Sequence, residues 1–156
     1  NNIINIITMK MKLILSILLI SSLGLLSSCK KDEDSPKTKT EMLTGTSCWK
    51  LVKSELKNEA GVYVDNTADS YDACELDDCT KFTTDGKFVT TDNGVKCDEG
   101  ATVVEEGTWL LKNNDTELEL TSNGDSGTLK IEKLDSKNLI TVLEVFGFTL
   151  RLTYVN

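Results

Sequence analysis

The chain has 156 residues, of which 27% are charged and 6% aromatic, a length that favours one domain. It contains no histidine, which excludes Ser-His-Asp and Cys-His nucleophile systems and every histidine metal site. With 25 acids against 17 bases and a net charge of -8, it also lacks the clustered cations that a nucleic-acid binder uses to neutralise phosphates.

The N-terminal part reads as an address. In residues 1–28 the only charges are Lys10 and Lys12, and an unbroken apolar run follows from Leu13 to Leu26. Those 14 residues fall short of the about 20 that a spanning helix needs. A basic start before a short apolar run is the pattern of a secretory signal peptide, expected over 1–28, with translation starting at Met9 or Met11. Leu26-Ser27-Ser28-Cys29 resembles the lipobox of bacterial lipoproteins. That resemblance implies acylation of Cys29, with palmitate-type chains mooring the mature protein to membrane lipid. Two or more acyl chains hold a protein far more firmly than one. Residues 29–41 are polar, carry the only proline and are expected to form a flexible tether. Lys30-Lys31-Asp32-Glu33-Asp34 resembles the surface-export signals of some Gram-negative lineages, and equally fits a plain solvated spacer. The expected location is the outer membrane of a Gram-negative bacterium, on its periplasmic face or at the cell surface. Beyond residue 28 the chain has 15 bases and 25 acids, a net -10 that argues against a second, electrostatic membrane contact.

From residue 42 to 156 the rhythm is period two. Thr116-Glu117-Leu118-Glu119-Leu120-Thr121, Thr128-Leu129-Lys130-Ile131-Glu132 and Phe148-Thr149-Leu150-Arg151-Leu152-Thr153-Tyr154 alternate in the manner of half-buried antiparallel strands. Asp85-Gly86, Asn93-Gly94, Asn123-Gly124 and Asp135-Ser136 mark turns between them. The pattern predicts eight strands, at about 48–56, 79–84, 87–91, 101–112, 116–121, 128–134, 138–145 and 148–155, with a bulge at Gly107. Only 68–78 has room for a short helix or an irregular loop. Short connections force an up-and-down meander. Closing it into an eight-stranded antiparallel barrel removes the exposed edges, and an open two-sheet sandwich is the alternative.

Leu43-Thr44-Gly45-Thr46 followed by Trp49-Lys50-Leu51, then Cys74-Glu75-Leu76-Asp77-Asp78, Phe82, Asp85-Gly86, Phe88, Lys96-Cys97-Asp98 and Gly107-Thr108-Trp109, resemble the small lipocalin-like domains of bacterial lipoproteins. Ser47-Cys48, inserted before Trp49, departs from the family's usual opening strand. Apart from Cys29, four cysteines remain, and an exported chain permits their pairing. The resemblance implies a Cys74–Cys97 disulfide. Cys48 and Cys79 are then left over, and parity supports pairing them, since both point outward on neighbouring strands if Trp49 and Phe82 point inward. Without a C-x₂-C pair or a histidine, these cysteines are not read as a zinc site.

No catalytic motif or carboxylate pair stands out, so no catalysis and no cofactor are expected. The acidic stretch Asp65-Asn66, Asp69, Asp72, Asp77-Asp78 has oxygens for a calcium ion but matches no calcium-loop spacing, and is read as solvated loop. Arg151, the only arginine, has outward parity and is read as a surface residue rather than a partner of Trp49. Trp49, Phe82, Phe88, Trp109, Leu118, Leu129, Leu150 and Tyr154 are the inward candidates, with Thr90 and Thr141 supplying hydroxyls. They would either fill the interior or line a pocket for a small hydrophobic molecule in a monomeric binding module. The rival is a tethered structural or interaction protein, for which Val145-Phe146-Gly147-Phe148 offers an apolar hairpin tip, unless Gly147 is a strand bulge. A cavity of about 300 Å³ or more lined by these residues favours ligand binding, and a fully packed interior leaves the surface module.

Overall fold

The computed structural model describes residues 36–97, 100 and 102–156. The signal peptide, Cys29 and the tether as far as residue 35 lie outside the described residues. The chain enters its folded unit through helix α1 (Lys39–Thr44). Thr38 and Glu41 form a capping box there: the Glu41 amide donates to Thr38 Oγ1 at 3.1 Å and the Thr38 amide to Glu41 Oε2 at 2.9 Å. The helix takes in residues 39–41, which composition alone assigns to the tether. Leu43 on α1 is fully buried, and Lys39 Nζ donates to the Asp115 carbonyl at 2.7 Å.

Nine antiparallel strands follow: β1 (Lys50–Lys57), β2 (Tyr63–Asp65), β3 (Cys79–Phe82), β4 (Lys87–Thr91), β5 (Val103–Lys112), β6 (Glu117–Ser122), β7 (Asp125–Leu134), β8 (Asn138–Val145) and β9 (Phe148–Val155). They form one sheet in the order β2-β1-β9-β8-β7-β6-β5-β4-β3. The meander from β3 to β9 is the expected one. Between β2 and β3 lie two one-turn helices, α2 (Thr67–Ser70) and α3 (Ala73–Leu76), in the segment where the sequence leaves room for them.

Two features differ from the eight-stranded closed barrel that the pattern predicts. The first is the extra strand β2, which pairs with β1 through Glu55↔Asp65 and Lys57↔Tyr63. The second is closure. The two flanks of the sheet meet at a single pair, Trp49↔Thr80, whose amides donate to each other's carbonyls at 2.8 and 3.0 Å. The Cys48–Cys79 disulfide sits beside it, with Cα atoms 5.1 Å apart. Continuing that register would set Leu51 against Asp78, but Asp78 belongs to the turn after α3, where its amide points to the Glu75 carbonyl. The ladder stops there and the sheet is not closed by continuous pairing.

Bulges keep the apolar residues on one face. At Val52, the register steps from Leu51↔Tyr154 to Ser54↔Leu152, so Leu51 and Ser54 share the inner face although three residues apart. At Glu132, the same device lets both Ile131 and Leu134 face inward. Phe82, Phe88, Leu118, Leu129, Ile131, Leu139, Trp49 and Leu43 make the core. On the outer face Arg151 pairs with Glu55 (Nη2 to Oε2, 2.6 Å), and its guanidinium lies 4.2 Å from the Tyr63 ring centroid. The hydrogen bond from Lys53, reinforced by Arg151, holds the Glu55 carboxyl below its usual range.

Gly107 is not a bulge. It pairs regularly with Phe88, and the shift in that ladder falls at Thr90/Thr91. A Cβ on Gly107 would collide with the Thr121 carbonyl oxygen and come within 2.8 Å of the Phe88 ring. The glycine is required by the approach of backbone and ring. Gly147 is not a bulge either: Val145 pairs with Phe148, and Phe146-Gly147 forms the two-residue turn with φ of 50° and 82°. Asn123-Gly124 adopts the same left-handed pair, at 52° and 90°. Asparagine suits that region and phenylalanine does not.

Two outcomes follow for stability in urea. Gly107→Ala should destabilise the fold by about 1–3 kcal/mol through overpacking. Phe146→Asn should stabilise it by roughly 1 kcal/mol, because Asn-Gly is the preferred pair for this turn.

Candidate ligand-binding cleft

The core is not packed solid. A chamber of about 90 Å³ lies among side chains from β3 to β9 and Trp49. Its apolar wall comes from Trp49, Phe82, Phe88, Leu118, Leu120, Leu129 and Leu139. Its polar groups are Thr80, Thr90, Thr141, Glu105 and Tyr154. Each is set there by strand alternation, with Thr80 and Phe82 sharing one face of β3, and Phe88 and Thr90 one face of β4.

Six of the eight candidates read from the sequence meet at this chamber: Trp49, Phe82, Phe88, Leu118, Leu129 and Tyr154. Trp109 and Leu150 do not line it. Trp109 stands behind Phe82, edge-on at 5.9 Å, and its indole donates to the Thr83 carbonyl at 3.1 Å. Leu150 lies between Leu56 and Leu143, farther along the sheet. Trp49 is 1% exposed, and its indole donates to the Leu43 carbonyl at 3.0 Å, which ties the chamber wall to α1. Arg151 makes no contact with it, as outward parity requires.

Two polar facts mark the chamber. The Thr80 and Thr90 hydroxyls are 2.9 Å apart and satisfy each other. Thr141 is fully buried, and its Oγ1 has no hydrogen-bond partner among the described residues. A buried hydroxyl left in that state costs about 1–3 kcal/mol unless something outside the protein satisfies it. Burial also pushes the Tyr154 phenol far above its ordinary range, so it stays a neutral donor.

The chamber opens outward. Trp49, Thr80, Thr90, Glu105 and Tyr154 also line a cleft of about 510 Å³, whose rim adds Tyr71 and Glu75 from the helical segment, Asp78, Asp92, and Val103 and Val104 of β5. On the other side of Glu105, a second opening of about 470 Å³ reaches Leu120 and Leu129 past the β6–β7 hairpin. The Cys74–Cys97 disulfide, Cα atoms 5.3 Å apart, joins α3 to the β4–β5 connection at the rim. Both disulfides thus have the pairing expected from the sequence.

The rim is acidic. Asp77, Asp78 and Asp92 place carboxylate oxygens within 4.8 Å of one another. The expectation of a solvated loop over 65–78 needs correction here: Asp65, Asp69 and Asp72 are exposed, but Asp77 and Asp78 are half-buried and gather with Asp92 from the end of β4. Asp77 Oδ2 accepts the Val95 amide at 2.8 Å, whereas Oδ1 of Asp77 and of Asp92 is buried without a partner among the described residues. Burial first, then the neighbouring Asp92, Asp77 and Glu75 charges, pushes the Asp78 carboxyl up.

A meandering antiparallel sheet, plugged by a short N-terminal helix and hollow at its centre, is now in view. The family model for the lipocalin-like domain matches residues 43–141. The chain belongs to the lipocalin-like domain family. No curated protein matches it. The matched span of this lipocalin-like domain runs from Leu43 on the plug to Thr141 in the chamber, and β9 completes the sheet beyond it.

The acidic rim carries a measurable sign. A carboxyl whose folded pKa is raised weakens the fold as pH rises from the unfolded value through the folded one. Asp78→Asn should therefore raise the urea midpoint at pH 7, and the gain should shrink towards zero below about pH 4. A midpoint that falls at pH 7 would show that Asp78 makes a stabilising contact as a charge.

Proposed function

We propose that this protein is an exported lipoprotein, acylated at Cys29, whose lipocalin-like domain binds a small molecule with a hydrophobic body. In this reading β1 and β3–β9 work as an eight-stranded barrel, held at its seam by the Trp49–Thr80 pair and the Cys48–Cys79 bridge, with β2 an appendage. The observation that carries it is the Thr141 hydroxyl, fully buried and unpartnered, in a chamber that leads to a cleft of about 510 Å³. The chamber lined by the inward candidates, about 90 Å³, falls short of the about 300 Å³ expected of a ligand pocket, so in this reading the open cleft supplies the remaining volume. The cleft carboxylates come from separate elements, with no nucleophile–base pair beside them among the described residues, and we read them as binding groups rather than catalysts. The lipobox-like Leu26-Ser27-Ser28-Cys29 after an apolar run supports anchoring in the outer membrane of a Gram-negative bacterium. In this reading the binding unit is the monomer.

A second reading, an interaction lipoprotein, rests on Phe146 and Phe148, which are 96% and 59% exposed at the β8–β9 tip.

Native mass spectrometry of the protein taken from its own host membranes separates them. The expected spectrum shows a covalent acyl increment, absent in Cys29→Ser, and a second, non-covalent mass lost on collisional activation. Recovery with the acyl increment alone would overturn the carrier reading and leave the interaction surface.

A further inference from the structure

The charges of this domain are sorted by place. Lys53, Lys87, Lys112, Lys133 and Arg151 are held by carboxylates away from the cleft, at Glu55, Asp85, Glu119 and Asp135. The cleft and chamber take Glu75, Asp78, Asp92 and Glu105, and among the described residues no lysine or arginine lines either. None of these four acids has an ion-pair partner among the described residues. Glu75 spends one oxygen on the Asp72 amide at 2.7 Å, capping α3. Glu105 stands where the chamber meets both openings.

Two independent observations say that something is missing from this arrangement. Among the described residues, Asp92 Oδ1 is buried at the rim without a partner, and the fully buried Thr141 hydroxyl lacks one in the chamber. Like charges in a partly desolvated site repel unless a counter-charge joins them. A cleft with walls of one sign also concentrates the opposite sign from solution. Below the acids, the wall is aromatic and aliphatic. An anion meets repulsion at the rim, and a neutral hydrophobe leaves the carboxylates uncompensated. A bare cation leaves the chamber unfilled.

We propose that the ligand of this cleft is a cationic amphiphile, its ammonium group among Asp78, Asp92, Glu75 and Glu105 and its largely apolar chain directed past Trp49 into the chamber, where a hydrogen-bonding atom on it meets Thr141. The inference rests on the ligand-binding reading above and adds the chemical class. Binding weakens with salt, because the rim is open to solvent.

The test uses the full chain in phosphatidylcholine nanodiscs, with empty nanodiscs subtracted, titrated calorimetrically with hexylammonium, hexanol, hexanoate, ethylammonium and calcium. Hexylammonium is expected to bind at least tenfold more tightly than each of the others. In Asp78→Asn/Glu105→Gln its advantage over hexanol should fall to near unity, with a thermal melt confirming the fold. Should that melt be lost, the single Glu105→Gln variant must still reduce the advantage severalfold. Hexanol or hexanoate binding as well as hexylammonium would overturn the charge assignment and leave the hydrophobic-cleft reading standing. Ethylammonium or calcium binding as tightly would make this a simple cation site and overturn the amphiphile. No binding by any probe would sink both readings.

Discussion

Two peptide hydrogen bonds between Trp49 and Thr80 hold the flanks of this sheet together. The rest of the molecule depends on that join. Trp49 and Thr80 are both chamber walls, so the hollow exists only while the flanks meet. Trp49 also carries the contact to Leu43, so α1 plugs the structure through the same residue. The inserted Ser47-Cys48, a departure from the family's opening strand, has its use here: Cys48 bonds to Cys79, one residue before Thr80. A short pairing that would fray alone is thereby fixed by a covalent neighbour, which restricts the unfolded chain as well.

Much of this was legible in the sequence, and the limits have physical causes. Strands with clean alternation were placed within a few residues, and β4, β8 and β9 at their full observed spans. Strand β2 was missed because three residues carry no period. Tyr63-Val64-Asp65 is held by β1 and by Arg151, which lies 88 positions downstream of Tyr63. Gly107 announces itself as a glycine, but a linear string does not say that Thr121 and Phe88 cross above it. For the chamber, parity found the aromatic residues, since each strand is half-buried. It also admitted Leu150 and Trp109, because facing inward does not fix the height of a residue along the sheet. The acidic rim was illegible as a unit. Its members come from α3, the turn before β3, the end of β4 and the start of β5, so no spacing ties them together.

The charge distribution has a structural logic apart from any ligand. Cross-strand pairs such as Lys112–Glu119 and Arg151–Glu55 offset one another on outward faces, where ladder neighbours make them cheap to form. The acids of the cleft rim, Glu75, Asp78, Asp92 and Glu105, lack such partners among the described residues. They come from loops and strand termini brought together by the β3–β4 and β4–β5 pairings and the Cys74–Cys97 bridge, so folding of this flank itself creates the local excess of negative charge.

The Cys74–Cys97 bridge has a mechanical consequence. It links α3, in the segment before β3, to Cys97, after the end of β4. Cys97 itself lines the cleft beside Tyr71 and Val103, so this side of the entrance is spaced by a covalent bond and not by packing alone.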